Sequence, residues 1–216
     1  MTIEFVVGID LSGPSNAADT AVTVFESCEA GLRLQTTSSD VSDAKLLQMI
    51  QPITPYSEVV VGIDAPLSYN DGGGDRPADR RLRQRIQQAG LAAGSVMPPT
   101  MTRMAYLTLR GLAVARLLSG LPNPPSLVEV HPGAAMALRG ASVKDIKLMK
   151  KEASARRRLL RWLEDQGLEG VAAAKMPIDH YVASCVAALA AWRWGQHQPE
   201  WIHPADPPLH PYDFAC

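Results

Sequence analysis

Cysteine is scarce in this chain: Cys28, Cys185 and Cys216 are the only three in 216 residues. An odd number with no metal-type spacing supports neither a disulfide framework nor a zinc site. Reduced, structural thiols in a cytoplasmic protein are the expectation. No apolar run is long enough to span a bilayer, and the start Met1-Thr2-Ile3-Glu4 lacks the basic region of a signal peptide, so no membrane association is expected. Neither sign of charge is in excess: 21 Lys and Arg stand against 22 Asp and Glu. That balance removes any global pull toward nucleic acid and leaves only local patches to supply one. Hydrophobic residues make up 46% of the chain, enough for one good core at this length. A single domain over 1–216 follows.

The pentapeptide Val-Val-Gly-Ile-Asp occurs twice, at Val6–Asp10 and Val60–Asp64. Each copy is a short apolar run that stops on a carboxylate, the pattern of a parallel strand buried on both faces. If the two strands are parallel neighbours, about 4.8 Å apart, Asp10 and Asp64 lie side by side at the carboxyl edge of the sheet, where open α/β folds bind ligands. Two such carboxylates repel unless a proton or a cation sits between them. A divalent-metal site is the first functional expectation, with Mg2+ or Mn2+ as the ion.

Around these strands, Thr20–Glu26 and Leu32–Thr36 alternate about Glu29-Ala30-Gly31 and predict a hairpin. A helix is predicted from Ser42, ended by Pro52 and Pro55. The stretch 70–122 reads as a helical insertion holding a basic helix, Ala78–Ala89, and a second helix, Thr102–Leu118. Leu127–Val130 predicts a fifth strand ending at His131-Pro132. A basic stretch, Lys144–Arg161, leads into another helix, and Ile178–Trp194 is a final Ala-rich one. Trp201-Ile202 reads as a brief return to the sheet edge, and the Pro-rich tail as an irregular strap. Three antiparallel strands followed by strand-helix units with right-handed crossovers give a mixed five-stranded α/β sheet with helices on both faces. This is the ribonuclease H-like arrangement, in which the first and fourth strands are parallel neighbours.

Gly8-Ile9-Asp10-Leu11-Ser12-Gly13, Gly62-Ile63-Asp64-Ala65-Pro66-Leu67, Arg76-Pro77-Ala78-Asp79-Arg80, Glu129-Val130-His131-Pro132-Gly133 and the helix from Asp179 occur in order, nearly end to end. On these segments the chain resembles domain-of-unknown-function family 429, a group described as predicted ribonuclease H-like nucleases. The resemblance implies that fold and a metal-dependent hydrolysis of phosphodiesters. It also implies an acid directly before Ala183, where this chain has Val182. Asp179, three residues earlier on the same helical face, is the candidate replacement. Loss of catalysis is the other outcome of that change.

Asp10, Asp64, Glu129 and Asp179 are the acids expected around one catalytic site, with Asp10, Asp64 and Asp179 as metal ligands. Magnesium keeps several waters, so two or three carboxylates and a substrate phosphate suffice. Strand-end aspartates also begin turns or cap helices, a reading open for Asp64 and for Asp179. Ser12, Arg76, Arg80, His131 and Lys151 are candidate substrate contacts, and the basic runs at 76–85 and 144–158 make nucleic acid the candidate partner. Such runs are more often solvated helix faces, Arg76 and Asp79 are spaced for a local ion pair, and a histidine before proline is usually structural. Two other functions stay open. One is a non-catalytic module of the same fold that binds nucleic acid or protein. The other is a nucleotide-binding phosphotransferase of actin-like type, cradling phosphate on the Ser12-Gly13 turn.

Overall fold

The computed structural model describes residues 3–55, 58–173 and 178–216. Its centre is the repeated pentapeptide. Strand β1 (Phe5–Asp10) and strand β4 (Val59–Asp64) pair in parallel, with Val6 opposite Val60, Gly8 opposite Gly62 and Asp10 opposite Asp64. Strands β2 (Ala21–Cys28) and β3 (Gly31–Ser39) form the expected hairpin and continue the sheet antiparallel to β1. Strand β5 (Ser126–Val130) pairs in parallel with β4 on the other side.

The expectation of five strands needs correction. Three two-residue strands extend the sheet to eight among the described residues: β6 (Leu168–Glu169), β7 (Ile202–His203) and β8 (Phe214–Ala215), in the order β6-β3-β2-β1-β4-β5-β8-β7. Two residues carry no readable alternation, and pairing across more than a hundred positions, as of β3 with β6, leaves no local signal. The Pro-rich tail is irregular over 204–213 apart from the bridge between Asp206 and His210, as expected, but its end is not. Its β8 inserts between β5 and β7, and Asp213 fixes the approach by accepting hydrogen bonds from Trp194 Nε1 and Ala205 N, both at 2.7 Å.

Side chains of β1 and β4 alternate between two cores, as a sheet covered on both faces requires. Val7, Ile9, Val61 and Ile63 pack with α1 (Asp43–Ile50) and α3 (Thr102–Ser119). Val6 and Val60 pack on the other face with α2 (Pro77–Gln88), α4 (Pro132–Leu138), α6 (Ala153–Asp165) and α7 (Asp179–Gly195). The short helix α5 (Val143–Leu148) precedes α6, so the basic stretch forms two helices. Helix α4 escapes the sequence reading, which stops the strand at His131-Pro132. Proline at the first helical position and the His131 ring accepting from Ala134 N start it. Among the described residues no helix is long and apolar enough to cross a membrane.

Helix α7 is buried almost continuously from Tyr181 to Trp192, which is why it reads as apolar all round. It lies directly on the backbone of the two central strands. A Cβ at Gly8 would overlap the carbonyl oxygen of Ser184, and one at Gly62 that of Ala187. Gly62→Val is therefore expected to destabilise the protein by about 3 kcal/mol or more, read as a fall in the urea midpoint. Gly94→Ala, where an added Cβ meets nothing within 4 Å, serves as the near-neutral comparison. Equal midpoints for the two variants would contradict this packing.

Candidate active site

Asp10 and Asp64 are direct register partners at the ends of two parallel strands, close enough for each to act on the other. Asp10 is only 8% exposed. Burial holds the Asp64 carboxyl well above the ordinary carboxylate range, and the charge of Asp10 adds to the effect. Burial also raises Asp10, but there the hydrogen bond and charge of His180 oppose it. The pair is thus asymmetric. Two neighbouring carboxyls that are both raised hold one proton between them more readily than two charges.

The source of that asymmetry is the first turn of α7. His180 Nδ1 lies 2.6 Å from Asp10 Oδ2, and its Nε2 lies 3.9 Å from Asp19 Oδ1. The hydrogen bond to Asp10 raises the His180 pKa against the opposing effect of burial, helped by the charges of Asp10, Asp179 and Asp19. Asp179, the first residue of α7, contributes charge to this corner, while the contact with the acid pair comes from its neighbour His180. Val182 is fully buried in the core beneath them. Lys150, exposed in the turn after α5, is the cation whose charge reaches Asp64. Lys151 beside it is exposed as well.

The loop leaving β1 is held from below by Arg110 on α3, which is 3% exposed. Its guanidinium donates to Ser12 O, Ser12 Oγ, Thr20 Oγ1, Val41 O and Asp43 Oδ1 at 2.7 to 3.2 Å. Ser12 N donates to Thr20 Oγ1, and the Ser12 hydroxyl donates to Asn16 O. These atoms are committed inside the loop, so the Ser12-Gly13 turn presents Ser12 as a structural group rather than as an open phosphate cradle.

Glu129 is engaged by other partners. Its register partner is Ile63, one residue short of Asp64, and its charge still acts on Asp64. It accepts from Leu67 N at 2.8 Å and from both terminal nitrogens of Arg76. Arg76 also donates to Asp79 and to Ser68. Arg76, Asp79 and Glu129 are all at most 4% exposed. Burial works against the Arg76 charge, but Glu129 and Asp79 outweigh it and raise the guanidinium further. Arg76 is therefore a buried structural cation whose polar atoms face inward. Arg80 is exposed and donates to Asp75 O. His131 caps α4 through Nδ1, and its Nε2 lies 2.8 Å from Ser95 O. The basic runs are partly consumed in the same way: Arg83 pairs with Asp75, and Arg158 with Asp145.

Of the residues selected from sequence, the structure brings together Asp10 and Asp64, with Asp179 at the rim. It adds His180, Asp19, Lys150 and Arg110. The pairing of Asp179 with His180 at a helix start was the only local sign of the histidine, and nothing in the spacing pointed to Arg110. Among the described residues no group of three or more His, Cys, Asp or Glu side chains is arranged to hold a metal ion. Two adjacent, desolvated carboxyls nonetheless fit one hard divalent cation that takes its remaining ligands from water and substrate.

The chain matches the model of the family described as "Protein of unknown function (DUF429)" over residues 8–208, and it belongs to that family. No curated protein and no solved structure matches it.

Two outcomes follow from the charges. A carboxyl whose folded pKa lies above its unfolded value binds more protons folded than unfolded between the two values, so stability falls as pH rises through that window. Asp64→Asn is expected to raise the urea midpoint at pH 8, with the advantage shrinking as the pH falls through the Asp64 titration; a constant difference at all pH values would refute the shift. Glu129→Ala, which leaves Arg76 buried without one partner, should cost about 3–5 kcal/mol. Arg33→Ala, in a pair with Glu169 that is about half exposed, should cost about 1 kcal/mol or less.

Proposed function

We propose that this protein is a metal-dependent phosphodiesterase of ribonuclease H-like fold acting on nucleic acid, with Asp10 and Asp64 as its principal metal ligands. The observation that carries this reading is the in-register carboxylate pair at the carboxyl edge of two parallel strands. The strand order 3-2-1-4-5 within the larger sheet, with three antiparallel strands followed by parallel ones, supports the fold assignment.

Bound Mg2+ or Mn2+ would supply an activated water and charge stabilisation at the phosphorus. The chain's own residues do the rest. Asp10 and Asp64 would hold the ion. His180 orients Asp10 through the contact at Oδ2, and Asp179 adds negative charge at the rim. Lys150 and Lys151 offer exposed ammonium groups to the phosphates on either side.

Calorimetry with Mn2+, followed by incubation with single- and double-stranded DNA, RNA, hybrid and branched substrates, tests this reading. Metal binding and cleavage are expected, and Asp10→Asn should abolish both. His180→Ala should weaken metal binding by about 10- to 100-fold, as loss of a group orienting a ligand does. Absence of both binding and cleavage would overturn the assignment. One observation favours a second reading, a nucleic-acid-binding module without turnover: buried Val182 stands at the position of the expected acid. That reading expects salt-sensitive binding that survives Asp10→Asn without metal.

A further inference from the structure

A cleft of about 630 Å3 opens on the α3 side of the sheet, away from the face to which the aspartates point. Three segments build it: the loop 67–71 after β4, the C-terminal half of α3, and the tail 208–212. The walls are preformed. The tail is closed on itself by paired backbone bonds between Asp206 and His210, and His210 Nδ1 lies 2.9 Å from Ser68 Oγ, which also accepts from Arg76. The size falls in the range of small-molecule sites, roughly 300–1,000 Å3, which are mostly apolar with a few polar groups.

Its chemistry is specific. Leu67, Leu112 and Leu209 give an apolar lining, and Leu209 is 63% exposed although large and hydrophobic. Tyr69 and Tyr212 bring two aromatic rings, with the Tyr212 hydroxyl 3.1 Å from Ser119 Oγ. Arg116 and Asp71 are the two charged residues of the lining. Both are exposed, and neither side chain makes a hydrogen bond or ion pair among the described residues, as is also true of Arg103, Arg157 and Arg161 elsewhere on the surface. An uncommitted guanidinium prefers an oxyanion, most of all a phosphate or carboxylate. An uncommitted carboxylate accepts from hydroxyl or amino groups.

We propose that this cleft binds a nucleoside monophosphate, or a molecule of the same chemistry: a planar aromatic ring for the tyrosines and leucines, an anionic group for Arg116, and hydroxyl or amino donors for Asp71. The site is independent of the acid pair. Its floor begins at Leu67, three residues and at most about 10 Å of chain beyond Asp64, yet it lies on the opposite face of the sheet.

Adenosine monophosphate and adenosine are the probes, titrated into the full chain in EDTA and followed by calorimetry and ligand-observed NMR. The monophosphate is expected to bind more tightly than the nucleoside. Arg116→Ala should weaken the monophosphate by about tenfold, the loss of one charge-assisted contact, and leave adenosine unchanged. Leu209→Asp, at an exposed position that does not endanger folding, should weaken both. Asp10→Asn should change neither, even if the proposed nuclease activity is absent. No saturable binding of the monophosphate at millimolar concentration would overturn the proposal. So would equal binding by Arg116→Ala, or loss of binding in Asp10→Asn, which would move the ligand to the aspartates.

Discussion

The close approach of α7 to the backbone of β1 and β4 is the constraint on which the rest of the site depends. Gly8 and Gly62 are register partners on the two strands, and the backbone of α7 occupies the space their side chains would fill. The aspartates lie two residues further along the same strands and so point to the same face. Two strand residues advance about 6.6 Å, and one helical turn back from Ser184 to His180 covers about 6 Å. With α7 running against the strands, the residue one turn before the contact at Gly8 arrives beside Asp10. The hydrogen bond between His180 and Asp10 is thus a consequence of how α7 is seated.

That seating sets the electrostatics. Two carboxyls on adjacent strands, one buried and the other half-buried, are not ionised together without a compensating charge. His180 supplies it on one side only, at Asp10, while Asp64 is held further above the ordinary range. The native state carries this arrangement at a cost to stability that grows with pH, the kind of local conflict that natural proteins tolerate at functional sites. A divalent cation would relieve it on both residues at once.

Arginine does much of the structural work nearby, and it does so out of sight of solvent. Arg110 ties the loop after β1 to α1 and α3, while Arg76 ties the loop after β4 to β5 and α2. Both loops begin at a site aspartate, so each carboxylate enters a segment pinned by a buried guanidinium. Such networks add specificity of arrangement more surely than net stability. They also explain why the basic runs overstate the positive charge on the surface: Arg76 is internal, and Arg83 and Arg158 are neutralised locally.

Legibility in the sequence followed the length of the signal. The repeated pentapeptide was enough to determine two buried parallel strands and the acids at their ends, because a continuous β-branched run broken by a carboxylate has few other readings. The long helices α3 and α7 were visible through their length, apolar content and stops. The two-residue strands β6 and β8 and the seven-residue α4 were not, since elements that short are selected by partners far away in the chain; the edge strand β7 was read within one residue, as Trp201-Ile202. Glu129 shows the limit most sharply: its place in the sequence pattern matched the other acids, but its carboxylate is taken up by the buried Arg76 at the start of α2, a partner no local spacing points to. The sequence by itself determined which residues could form the central strands and which carboxylates would end them. Only the tertiary structure decided which charges meet, because register across strands and the seating of α7 on two glycines are set by packing between distant segments.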